Sequence, residues 1–206
     1  MDETHYREYL SCQAKGLKRE AKTAIGRFIA SFVDNAERVE WTQHFLASHR
    51  YGDAVRGELY ELIIFPVLLE AVRQGSASGY FGMAATHQSL YRAKWLWQKL
   101  AGDRWPVELD LLRECKRIDP AYPGVDTALI DSIIKDLRFA VHELPSGLLA
   151  SPQAIFAWVA EARSFGPSPR QEESLANCER LTRAHLAHHP NGYDEGSRIA
   201  SEREER

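Results

Sequence analysis

Two histidine groupings stand out by type and spacing. His185 and His189 are four residues apart, which places both imidazoles on one side of a helix, and His188, Asp194 and Glu195 lie close by in sequence. Two imidazoles supply half of a tetrahedral zinc site, and Pro190 interrupts the helix that would carry the rest. Histidines in a last helical turn are also favoured by the helix dipole with no ion present, so neither metal nor cofactor is expected. His142 and Glu143 form the second grouping, an imidazole beside a carboxylate, which is the material of a general base. Adjacent helical residues point about 100° apart, so the pair is not expected to converge, and helix-end charge before Pro145 accounts for it. The three cysteines, Cys12, Cys115 and Cys178, are widely separated and form no CxxC. They are expected as buried thiols, not as a disulfide framework, a zinc site or nucleophiles.

The sequence holds no GxxxxGK[ST], no GxGxxG after a strand, no HExxH and no GxSxG. The spacing of an Arg four to six residues before a His, used by helical ribonucleases of the HEPN type, occurs at Arg38–His44, Arg180–His185 and Arg183–His188. The polar residue usual after that Arg is replaced by Val39, Leu181 and Ala184. No catalytic residue is assigned from these patterns, and the chain reads more readily as a binding protein than as an enzyme.

Residues suited to holding a protein partner are easier to find. Lys15, Lys18, Arg19 and Lys22 crowd into eight positions and lie largely opposite an apolar stripe, which turns them toward solvent. Among the aromatics, Trp95 and Trp97 project about 200° apart on a helix, so only one of them readily joins the core. Trp97, with Tyr80 and Tyr122 on loop-like segments, is expected at the surface, where aromatic side chains bury much area at low entropic cost. The wider charge balance argues against nucleic acid as the main partner. With 26 Lys+Arg against 29 Asp+Glu, the net charge is -3 and there is no global positive field.

The elements that must position these residues are helical throughout. A stripe at steps of three and four (Leu10, Ala14, Leu17, Ala21, Ile25, Phe28, Phe32, Ala36, Val39) predicts one long helix from about Tyr6 to Phe45. Asp53 is the expected N-cap of the next helix, which ends at Arg73 and Gly75 and contains the apolar run Leu62–Leu69. Pro66 demotes that run as a central strand and predicts a kinked, central helix instead. A helix over Ser76–Leu100 follows, with Phe81, Ala84, His87, Leu90 or Tyr91, and Trp95 along one side; Gly79 and Gly82 would let it pack closely on its predecessor. Trp105-Pro106 opens a helix to Ile118, Asp126 caps one with core face Ile130, Ile133, Ile134, Leu137 and Val141, and Ser151-Pro152 starts another. Gly166-Pro-Ser-Pro169 reads as a linker to a helix over Glu172–His188. The expected fold is therefore all-α: about seven helices, as a bundle or stacked hairpins around the central Pro-kinked helix. The domain is residues 1–166, with 167–206 a peripheral helix and charged tail.

At 206 residues and 44% hydrophobic, the chain can bury an ordinary core without disulfides. The start MDETHYREYL has neither a basic n-region nor an apolar h-region, and Leu62–Leu69 is far short of the roughly 20 residues of a membrane span. No signal peptide and no membrane partner are expected, and the cytoplasm is the default location.

Two segments resemble a known class. Glu58-LeuTyrGluLeuIleIlePheProValLeuLeu-Glu70 and Tyr80-PheGlyMetAlaAlaThrHisGlnSerLeu-Tyr91, with Ala140-ValHisGluLeuProSerGlyLeu-Leu149, are similar to small all-helical bacterial proteins encoded beside toxins. Such proteins are immunity partners in polymorphic-toxin and contact-inhibition systems. The resemblance implies a non-enzymatic protein that neutralises a cognate toxin by binding it, with no functional residue carried over. The alternatives are a helical ribonuclease or His-dependent metal hydrolase, and third an adaptor holding nucleic acid on the basic face of Lys15, Lys18, Arg19 and Lys22. The composition does not specify an oligomeric state.

Overall fold

The computed structural model describes residues 1–53, 55–102 and 107–189, apart from the side chains of Lys94, Trp97 and Ala101. Among these residues the chain is all-α, with no strand. It divides into two units, Met1–Tyr122 and Pro123–Arg206.

The first unit opens with three helices, α1 (Glu3–Ala14), α2 (Lys18–Ala30) and α3 (Asn35–Ser48), where the apolar stripe predicts one. The first break is a Schellman motif. Gly16 takes φ 71, its N–H donates to the Gln13 carbonyl at 3.0 Å, and the Leu17 N–H donates to that of Cys12 at 2.9 Å. The second break is set by Asp34, whose carboxylate accepts from the Glu37 N–H at 2.9 Å and so caps α3. Glu37 reaches back to accept from the Val33 N–H at 3.0 Å and pairs with the terminal ammonium at 2.7 Å. Folding the segment into three brings its aromatic rings together. Phe28 lies 5.2 Å from both Tyr6 and Trp41, and Trp41 stacks on Phe45 at 5.0 Å. Ala21, Ile25 and Phe28 of α2 are buried as the stripe predicts, and Ala24 beside them, whereas Leu10 and Leu17 are exposed.

The next helix starts three residues later than expected. Arg56, not Asp53, is its N-cap, and Asp53 is exposed, its carbonyl accepting from His49 Nε2 at 3.0 Å. The helical rod has three parts: α4 (Gly57–Leu59), a π-helical turn (Tyr60–Ile64) and α5 (Phe65–Arg73). Pro66 occupies the first turn of α5, and the Phe65 N–H bonds to the Tyr60 carbonyl, five residues back. The proline is thus accommodated by widening the turn before it. Leu59, Tyr60, Ile63, Ile64, Phe65, Val67, Leu68 and Leu69 are buried, which makes this rod the apolar centre of its unit. It is not buried all round, however: Leu62 is 53% exposed and Pro66 faces solvent beside it.

Ser76–Leu100 is likewise not one helix but three: α6 (Ala77–Ala85), α7 (His87–Arg92) and α8 (Lys94–Ala101). Buried Thr86 ends the first, its hydroxyl donating to the Gly82 carbonyl at 2.8 Å. Helix α6 packs on α5 and on α9 (Glu108–Ile118). The close approach to α5 rests on the two glycines. A Cβ on Gly79 would stand 2.7 Å from the Val72 nitrogen, and one on Gly82 would stand 2.5 Å from Leu68 Cδ2. Trp105-Pro106, expected to open the next helix, lies outside the described residues.

The second unit holds α10 (Val125–Val141), α11 (Pro152–Ser164) and α12 (Pro169–His188), each packed on the other two. Gly124 at φ 81 caps α10, so Asp126 stands inside the helix and is not its cap. Ile130, Ile133, Ile134, Leu137 and Val141 are buried as expected. Ser151 caps α11 by accepting from the Ala154 N–H at 3.1 Å. The Gly166–Pro169 segment is a turn with a capping box, not a linker: the Ser168 N–H donates to Gln171 Oε1 at 2.9 Å and Pro169 begins α12. Nor is α12 peripheral, since Leu175, Cys178 and Thr182 are buried and its acids clamp Arg163 of α11. Residues 190–206, read as a charged tail, lie outside the described residues.

Candidate interaction surface

The reactive groups singled out by spacing are mostly engaged or sealed. Burial, with Asp119 nearby, pushes the Cys115 thiol up to about 11, and burial raises that of Cys178. Neither has the thiolate character a nucleophile needs. Cys12 is half-buried instead of buried. His142 and Glu143 do meet, against expectation, with Nε2 to Oε1 at 2.7 Å. The helix ends at Val141, so the 100° increment no longer separates them. The other imidazole nitrogen of His142 faces the Phe139 carbonyl and its ring stacks on Phe139 at 4.9 Å, which fixes the side chain as a helix-end plug.

His185 and His189 share a face as their spacing requires, with ring centroids 4.7 Å apart. Among the described residues no three His, Cys, Asp or Glu side chains are grouped to hold a metal ion. Asp194 and Glu195 lie outside those residues. The Arg–His pairs each lie within one continuous helix, where separations of five or six residues place the two side chains about 120–140° apart. Arg180 donates to Asn177 Oδ1 at 2.7 Å and Arg183 pairs with Glu179 at 2.7 Å.

The expected aromatic anchors are redistributed. Tyr80 and Tyr122 are half-buried, not exposed. Tyr122 closes a ring ladder with Phe81 at 5.1 Å and Tyr51 at 5.7 Å from Phe81, and burial raises its phenol pKa, with Cys115 and Asp119 adding to the effect. The Trp97 side chain lies outside the described residues. Among the described residues of this unit the exposed aromatics are Tyr91, 56% exposed, and Trp95, 49% exposed; spacing predicts Trp95 on the core side, and of the alternatives Leu90 or Tyr91 it is Leu90 that is buried. Leu90 and Leu96 take the buried positions there, and Lys99 rests over the Trp95 ring at 4.9 Å. The break at Ala93 between α7 and α8 changes the helical phase, a shift that spacing over a continuous helix does not reveal.

The basic cluster falls where it was expected. Lys15 ends α1, and Lys18, Arg19 and Lys22 open α2; all four are exposed. Several other cations are paired, although among the described residues exposed Arg50, Arg73 and Arg92 are not. Arg7 pairs with Glu3, Arg27 with Glu8, Arg56 with Glu58 and Arg117 with Glu114. Among the described residues no ion pair reaches Lys15, Lys18, Arg19 or Lys22. Lys22 feels the field of Glu58, but that carboxylate is held by Arg56 at 2.8 and 3.2 Å. Glu20 points about 100–160° away from Arg19 and Lys22. Exposed Leu10 precedes the cluster in sequence and exposed Leu17 lies within it.

No helix among the described residues is long and apolar enough to cross a membrane. Compared with known protein families, characterised proteins and solved structures, the chain matches none.

Proposed function

We propose that this chain is a non-enzymatic protein-binding module, and specifically an immunity protein that neutralises a cognate bacterial toxin by covering it. The observation that carries the reading is the concentration of four solvent-facing cations, none with an acidic partner among the described residues, within eight consecutive positions. An unpaired cluster steers an oppositely charged protein and fixes its register. Exposed Tyr91 and Trp95 supply aromatic anchors of the type that dominates binding energy, and the thiols and His142 are engaged in the fold. The resemblance of the 58–70 and 80–91 segments to toxin-linked proteins gives the specific form of the proposal.

The test is co-expression in bacteria with the polypeptide encoded by the adjacent reading frame. That polypeptide should arrest growth alone, and this chain should restore it. Lys18→Glu with Lys22→Glu, and separately Trp95→Ala with Tyr91→Ala, should weaken the rescue while circular dichroism shows intact helices. A harmless neighbour, or arrest that the folded chain does not relieve, refutes toxin neutralisation.

A further inference from the structure

The described glycines separate into those that a positive φ or close packing explains and three, Gly26, Gly57 and Gly147, that neither explains; of these only Gly26 lies in the middle of a helix. Gly16, Gly52, Gly75, Gly102, Gly124 and Gly166 take positive φ, which L side chains rarely adopt. Gly79 and Gly82 sit against α5, where a Cβ would collide. Gly26 is different. It lies in the middle of α2, has ordinary helical φ, and nothing stands within 4 Å of where its Cβ would be. A mid-helix glycine costs about 1 kcal/mol relative to alanine, and nothing inside the protein offsets that cost here.

Its position relates it to the cations. Gly26 follows Lys22 by four residues and Arg19 by seven, so on α2 it stands about 40° from the one and about 20° from the other. The opposite side of α2 is the buried one, formed by Ala21, Ala24, Ile25 and Phe28. The outer face of α2 therefore combines two unpaired cations, Arg19 and Lys22, with a notch that bares the helix backbone; exposed Lys18 stands at the edge of that face and Lys15 at the turn before it. A missing Cβ lets another backbone come close, and the charges around it select the sign of what approaches.

We infer that the outer face of α2 is the seat of an acidic helix of a protein partner, which crosses over Gly26 and sets its carboxylates against Lys18, Arg19, Lys22 and Lys15. Nucleic acid would use the same cations but would gain nothing from a notch one turn beyond them. The inference rests on the reading of the chain as a protein-binding module and adds the chemistry of what it binds.

The probe is a synthetic helical peptide of about 20 residues with glutamates along one side and alanines along the other, fluorescein-labelled and followed by anisotropy against the whole chain. The unmodified protein should bind it at low ionic strength and lose it as salt rises. Lys18→Glu with Lys22→Glu should weaken binding on the order of tenfold. Gly26→Leu, whose Cβ has no atom of the chain within 4 Å, should weaken it several-fold while leaving the cations in place. Absence of peptide binding, or binding indifferent to Gly26→Leu, overturns the inference. So does a single-stranded RNA of equal charge that binds more tightly and responds to charge reversal alone. The two proposals fail separately. Peptide binding without rescue of growth removes toxin neutralisation and keeps the face, whereas rescue without peptide binding removes the face and keeps the function.

Discussion

Three glycine-to-alanine substitutions, in three helical settings, should move stability in a fixed order. At Gly26 there is nothing to strike, so alanine should gain up to about 1 kcal/mol from helix propensity. At Gly79 the same gain is opposed by backbone. The new Cβ would stand 2.7 Å from the Val72 nitrogen, 2.8 Å from Ala71 Cβ and 2.9 Å from the Ala71 carbonyl carbon. None of these atoms can rotate aside, so α5 and α6 must separate by about 0.7 Å to reach ordinary contact at 3.4 Å. Overpacking of this kind costs about 1–3 kcal/mol, and a backbone clash belongs at the upper end, so the net loss should be near 2 kcal/mol. At Gly82 the nearest atoms are the methyl ends of Leu68 and Leu46, at 2.5 and 3.2 Å, which can swing away. Its loss should lie between zero and about 1 kcal/mol. For a chain of this length, 1 kcal/mol corresponds to a Tm change of about 2–4 °C. Urea unfolding followed by circular dichroism should give midpoints in the order Gly26→Ala, unmodified, Gly82→Ala, Gly79→Ala, with unchanged slope. A Gly79→Ala protein as stable as the unmodified chain, or more stable than Gly82→Ala, would refute the reasoning about the α5–α6 seam.

Two further predictions concern single groups. Thr42 is 1% exposed and its hydroxyl has no hydrogen-bond partner, whereas the Thr86 and Thr182 hydroxyls donate to carbonyls at 2.8 and 2.9 Å. Thr42→Val should therefore stabilise by about 1 kcal/mol and the same change at Thr86 or Thr182 should destabilise by about as much; equal losses at all three sites would contradict this. Hydrogen bonds from Arg183 and Arg163 hold the Glu179 carboxyl below its ordinary range. A depressed carboxyl contributes stability that is present above its ordinary pKa of 4.5 and is lost as pH falls through the lower folded value. Because the pairs are solvent-facing, Glu179→Gln should cost about 1 kcal/mol or less at pH 7, and the deficit should vanish in acid and shrink in high salt. A deficit independent of pH would show that the charge is not its source.

How far the fold was legible depended on whether its signals were local. The all-helical class, the α10 core face, the Ser151-Pro152 cap and the glycine contacts of α6 all follow from spacing and capping chemistry. The long helix over Tyr6–Phe45 was misjudged because a stripe at helical period continues through breaks that preserve phase. Gly16 and the Asp34–Glu37 cap pattern were the signals that marked those breaks. Spacing places Trp95 on the core side because its exposure depends on a phase change at Ala93 that no cap residue announces. The turn before Pro169 looked like a linker because Pro and Gly punctuate both linkers and helix caps. The basic face was visible as composition, but its lack of acidic partners is a property of three dimensions. So is the open space at Gly26.

The π-helical turn at Tyr60–Ile64 bears on the azimuth of everything after it. The buried residues of this rod advance in steps of four, Leu59, Ile63 and Val67 in one row and Tyr60, Ile64 and Leu68 in the next. In an uninterrupted α-helix a step of four overshoots a full turn by about 40°, so each row would wind away from the interior. A turn closed by a five-residue bond is wider and retards that winding. The turn thus acts as a phase corrector. It rotates α5 so that Leu68 meets Gly82 while Ala71 and Val72 meet Gly79, and the tight seam between α5 and α6 depends on an irregularity located one helix earlier.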